Sequence, residues 1–178
     1  MRLLLSFSRG VDLLNTFVGK AVGWLVLIAV LVSSANATIR YLFSNSSNAW
    51  LELQWYLFSA VFLLCAGYTL LKNEHIRIDI ILGRLSPPAR HWIEIFGLVV
   101  FLVPLCVVML YEGWPYFLQS YPAEQSSNAG GLLRWPVKLM ILVGFVLLLA
   151  QGLSQLVKRI AILRGLIPDP YASQQQSH

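Results

Sequence analysis

KAVGWLVLIAVLVSSANATIR, Lys20 to Arg40, holds 19 residues without an Asp, Glu, Lys or Arg between two cations. At 1.5 Å rise per residue such a run makes a helix of about 29 Å, which matches a hydrocarbon core of about 30 Å. Three more runs follow: 19 uncharged residues between Glu52 and Lys72, 17 between Glu94 and Glu112, and 19 between Lys138 and Lys158. Lipid offers backbone amides no partner, and none of these runs alternates as a barrel strand does, so each predicts a helix. The expected fold is all-α and integral to a membrane, with four transmembrane helices near residues 21–40, 52–71, 92–112 and 136–157.

Four spans in a chain of 178 residues leave only short connections and no room for a soluble domain. A single membrane domain is expected over 1–167, followed by a polar tail, 168–178, whose composition predicts disorder. The composition agrees: 57% hydrophobic and 12% charged residues lie far from the roughly 25% charged of an ordinary soluble domain. A net charge of +5 would suggest nucleic acid for a soluble chain. Here the basic residues have a different meaning, and no nucleic-acid partner is expected.

Ten of the thirteen Lys and Arg fall on one side of the four spans. They are Arg2, Arg9 and Lys20 before the first span, Lys72, Arg77, Arg84 and Arg90 between the second and third, and Lys158, Arg159 and Arg164 after the fourth. Arg40, Arg134 and Lys138 fall on the other side. The positive-inside rule then places both termini in the cytoplasm, N-in and C-in, in a multi-pass membrane protein.

Ala35-Asn36-Ala37 resembles a signal-peptidase site, but the 19-residue run is longer than the 7–15 residues of a signal-peptide core, so the first span is read as retained. Before it, Leu3, Leu4, Phe7, Val11, Leu14, Phe17 and Val18 recur at helical spacing. They predict a helical segment lying in the membrane interface and contacting lipid, the alternative being a simple cytoplasmic extension of the first helix. Between spans two and three, Ser86 before Pro87 and Pro88 marks a helix start. Upstream of it, residues 80–85 predict a short amphipathic segment on the cytoplasmic surface, capped by Asp79.

Candidate chemistry is sparse. Cys65 and Cys106 are single and deep in spans, without the paired spacing of a thiol oxidoreductase, and are read as packing residues. His75, His91 and His178 all lie outside the spans, where no pair could ligate a buried haem, and no cofactor is expected. His75, Arg77 and Asp79 alternate, a weak set for a metal and a better one for an anchor or partner contact. Ser33, Asn36, Ala37 and Arg40 form one small, polar helix face, while Glu52, Tyr56 and Ser59 follow the same spacing on the second span. A short loop makes these spans an antiparallel pair, so Arg40 and Glu52 are expected to form a structural ion pair. Trp50, Trp55, Tyr56, Arg134 and Trp135 mark the outer interface as aromatic-belt or partner-contact residues. Pro104 is expected to loosen the third span.

SSNAWLELQWYLF (Ser46 to Phe58), NEHIRIDI (Asn73 to Ile80) and GGLLRWPVK (Gly130 to Lys138), spaced across four helices, resemble the small DctQ-type membrane subunit of tripartite ATP-independent periplasmic (TRAP) transporters. The resemblance covers nearly the whole chain. It implies a non-catalytic permease subunit working with a large membrane subunit and a periplasmic substrate-binding protein, in sodium-driven uptake of organic acids. The role it implies for this chain is to brace the large subunit and help dock the binding protein. Related sequences often carry an acid near the end of the fourth helix where this one has Gln155, so no salt bridge is expected there. The alternative from composition alone is a stand-alone four-helix exporter, which would need a carboxylate inside the membrane. Asp12 and Glu52, at the edges of their spans, do not obviously supply one.

Overall fold

The computed structural model describes residues 2–43, 47–72, 86–121, 126–128 and 130–168. It contains four helices long and apolar enough to cross a membrane, and no strand among the described residues. They are α1 (Arg2–Phe43), α2 (Asn48–Lys72), α3 (87–118) and α4 (Trp135–Leu163). α3 is composite: Pro87–Gly97 and Val103–Leu118 are α-helical, joined by a π turn at Leu98–Leu102.

Pro104 accounts for that turn. Its ring would press on the carbonyl one turn back, and it brings no N–H. Widening the preceding turn relieves the contact, and the Val103 N–H reaches back five residues to the Leu98 carbonyl. At the start of α3, Ser86 is extended and precedes the first helical residue as expected, yet its side chain makes no capping bond. Pro87 and Pro88 lack two of the donors that a cap would satisfy.

α4 is the central helix. Of its most apolar window 39% is buried, against 17%, 11% and 11% for α1, α2 and α3. α1, α2 and α4 pack against one another as a triad, while α3 rests on α4 and hardly touches the other two. Glycines allow the closest approach: a Cβ on Gly144 of α4 would stand 2.7 Å from the Leu63 carbonyl oxygen of α2, and one on Gly67 of α2 would stand 3.2 Å from the Leu147 carbonyl oxygen of α4. Close backbone contact through small residues is the usual way helices associate where no water is expelled.

The segment before Lys20 is continuous with the first span, giving one helix of 42 residues and about 63 Å. Ser8, Val11, Asn15 and Val22 on one side of it are buried, and Leu3, Phe7, Leu13 and Phe17 point outward. Gly19 lies against the Tyr68 ring, so the uncharged run of α1 is displaced from that of α2 by about five residues, roughly 7 Å, toward the end that carries the α1–α2 connection. The segment expected at residues 80–85 and the tail beyond residue 168 lie outside the described residues.

Candidate functional site

The polar groups of the bundle gather at two ends. At the end where α1 begins and α4 ends, α4 presents Gln151, Ser154, Gln155, Lys158 and Arg159, spaced i, i+3, i+4, i+7 and i+8 along one face broad enough for its centre and edges to meet different neighbours. Toward α1, Lys158 Nζ donates to both Asp12 oxygens at 2.9 and 2.8 Å. Gln151 Nε2 and Ser154 Oγ donate to Asp12 Oδ1 at 2.9 and 3.1 Å. Asn15 Nδ2 donates to Gln151 Oε1 at 2.9 Å, and the Ser8 and Ser154 hydroxyls meet at 2.7 Å. Ser8, Asp12 and Asn15, themselves spaced i, i+4 and i+7, make one face of α1, so two polar stripes mesh.

Toward α2, Gln155 Nε2 reaches the Leu70 carbonyl at 3.5 Å. Toward α3, Arg159 Nε lies 2.7 Å from Glu94 Oε2 and its Nη1 lies 3.3 Å from His91 Nδ1. Arg159 and His91 are almost wholly buried. A buried charge is costly alone, and each here has an opposite charge or a hydrogen-bond partner within reach. The seam therefore ties α4 to all three other helices within two turns.

Sequence patterning does not anticipate this seam. It sets Asp12 at the edge of a span and expects no salt bridge near Gln155; one turn further on, Lys158 and Arg159 each take a carboxylate. The signal lies in the 8, 12, 15 spacing of α1 and the 151, 154, 158 spacing of α4. Most of the apolar stripe of α1 is its outer face: Leu3 is 87% and Phe17 72% exposed, and Val11 is the member that is buried.

At the opposite end, Ser126 and Leu133 form an antiparallel bridge, closed by Ser127 N–H to the Leu132 carbonyl at 2.8 Å and Gly131 N–H to the Ser127 carbonyl at 3.0 Å. Gly131 has φ +74°, a conformation that favours glycine. Gly130 packs against Ala49 and the Glu52 carboxylate at the start of α2. Lys138 is buried; its ammonium donates to Ser120 Oγ and to the Tyr116 carbonyl at 3.3 Å, and stands 3.7 Å from the Tyr116 ring centre. Trp114, Phe117, Tyr121 and Trp135 continue in a chain of ring contacts at 5.7–6.4 Å.

Among the residues expected to act, Tyr56 lies within electrostatic reach of both Glu52 and Arg134. Trp135 meets Tyr121 edge-on at 5.9 Å, Trp50 is half exposed, and Trp55 is 74% exposed. The structure does not join Arg40 to Glu52. Arg40 lines a groove with Leu51 and Gln54, whereas Glu52 turns toward Gly130. On α2 the face of Leu51 and Gln54 meets α1, and Glu52, about 100° further round, belongs to the next face. His75, Arg77 and Asp79 lie outside the described residues.

Four membrane-length helices among the described residues, locked from within by a polar seam and leaving wide apolar faces outside, define a small multi-pass membrane protein. Residues 11–161, most of the chain, match the family described as tripartite ATP-independent periplasmic transporters, DctQ component. The chain belongs to that family, the small membrane component of TRAP transporters, and is a multi-pass bacterial membrane protein. No curated protein and no solved structure matches it.

Proposed function

We propose that this chain is the non-catalytic small permease subunit of a sodium-driven secondary transporter for organic acids, which braces the large membrane subunit and helps dock the periplasmic binding protein. The observation that carries this reading is the family match over residues 11–161. The geometry supports it in two ways. The Asp12 and Glu94 carboxylates are each held by a basic side chain of α4, an arrangement suited to joining helices rather than to coupling an ion. The outer faces of α1 and α3 present Trp24, Leu31, Phe96, Phe101 and Tyr111 to their surroundings, as a subunit that packs on a larger membrane partner would.

In proteoliposomes holding the large subunit, the cognate binding protein and this chain, uptake of an organic acid is expected to require a sodium gradient. Omitting this chain should reduce uptake to background, and the chain alone should move nothing. Transport by this chain alone, or undiminished uptake without it, would refute the reading.

The same reading places the termini in the cytoplasm, on the strength of the ten-to-three distribution of cations. Single cysteines at the exposed positions Ser47 and Asn128, in a background lacking Cys65 and Cys106, should react with an impermeant thiol reagent applied to intact spheroplasts. A cysteine at exposed Ser86 should react only after permeabilisation. The reverse pattern would invert the topology.

A further inference from the structure

Between the outer ends of α1 and α2 lies a groove of about 530 Å³ lined by Ser33, Asn36, Ala37, Arg40, Leu51 and Gln54, with Tyr41 at its lip. Arg40 is exposed, and neither a carboxylate nor any other described residue engages its guanidinium. Asn36, only 6% exposed, lines the groove, and its amide has no hydrogen-bond partner among the described residues. Ser33 and Gln54 line the same space. The lining thus combines a cation with Ser33, Asn36 and Gln54, whose side chains carry O–H or N–H donors, and includes no acid.

We propose that this groove receives a transmembrane helix of the large subunit carrying an acidic side chain, whose carboxylate meets Arg40 and Asn36. The inference rests on the subunit reading above and adds to it the contact face and its chemistry. A planar guanidinium pairs with a carboxylate through two parallel hydrogen bonds, and a neighbouring amide can donate a third. Ser33 and Ala37 are small enough to let a second backbone approach, the usual setting for polar contacts between membrane helices. The donors also extend along the axis: Asn36 stands about 6 Å, and Ser33 about 10 Å, from the level of Arg40. A lipid phosphate could engage the Arg40 turn, but its acyl chains would lay apolar surface against the other two turns. A helix lying along the groove offers a polar group at each level.

The test is coexpression with the large subunit, affinity purification in mild detergent and native mass spectrometry. Wild-type chain should recover an equimolar complex. Arg40→Glu, which reverses the charge, and Ala37→Trp, which fills the groove, should each reduce recovery at least tenfold, whereas Arg40→Lys should retain part of it. Each variant expressed alone should still give the monodisperse peak of the wild type, because both side chains are exposed and Arg40 holds no neighbour in place. Among Asp→Arg and Glu→Arg substitutions in the spans of the large subunit, one should restore recovery with Arg40→Glu.

Undiminished recovery of both variants would overturn the proposal, as would loss of a bound phospholipid from Arg40→Glu while the large subunit stays attached. Failure of the wild-type chain to bind the large subunit would instead bring down the subunit reading itself, and this inference with it.

Discussion

Replacing Asp12 with leucine is expected to lower the stability of the purified chain by about 2–4 kcal/mol, while the double variant Asp12→Leu with Lys158→Leu recovers most of the loss. The single change leaves the Lys158 ammonium with no carboxylate opposite it and removes the acceptor used by Gln151 and Ser154. A fully buried pair broken on one side costs about 3–5 kcal/mol; here both side chains keep about a quarter of their surface exposed, 26% and 23%, so the cost falls somewhat below that. Removing both charges leaves two donors short of an acceptor but no isolated ion. Thermal unfolding in detergent, read from tryptophan fluorescence, measures the difference. Additive losses in the double variant would mean that the two charges do not act as a pair.

The second large effect concerns the contact between α2 and α4. Gly144→Leu should separate the two helices, since even the first atom of a side chain there meets the Leu63 backbone at 2.7 Å, and backbone cannot move aside as a side-chain tip can. Overpacking of a close contact costs about 1–3 kcal/mol, and because Gly67 and Leu147 belong to the same seam their contact should open with it. Gly23→Leu on α1 is the matched control, because nothing lies within 4 Å of the Cβ it would add. Equal behaviour of the two variants would show that the approach at Gly144 carries no weight in the bundle.

The four helices were legible because an uncharged run of bilayer-crossing length is seldom anything but a membrane span, and Pro104 announced the irregularity that became the π turn. The interior was less legible, for a physical reason. In water an apolar stripe marks the buried face of a helix, whereas in lipid apolar surface gains nothing by turning inward, and the inside is marked by polar and small residues. On α1 the stripe through Leu3, Phe7 and Phe17 was therefore a sound sign of a helix and a poor guide to what it buries; Ser8, Asp12 and Asn15 were the guide. The expected Arg40–Glu52 pair failed for a narrower reason. Spacing within a helix says which residues share a face but not how α2 is turned against α1: Leu51 and Gln54 line the groove with Arg40, while Glu52 lies on the neighbouring face beside Gly130. The aromatic and basic residues at the outer end were recognised singly, while the small bridge that brings Gly130 onto Glu52 depends on backbone turns that composition does not reveal.

The lysine that neutralises Asp12 lies 146 residues further along the chain, on α4, which is synthesised after α1, α2 and α3. At about 5–20 residues per second, roughly 7–30 seconds pass between synthesis of the carboxylate and synthesis of that lysine. Throughout that interval Ser8, Asp12 and Asn15 have no α4 to bond to, and the first helix must wait at the membrane surface, or shielded by the insertion machinery, with its polar face unmatched. Final seating of α1 is therefore tied to the arrival of α4, and a nascent chain arrested before residue 158 should present the stretch from Ser8 to Asn15 to proteases that the finished protein resists.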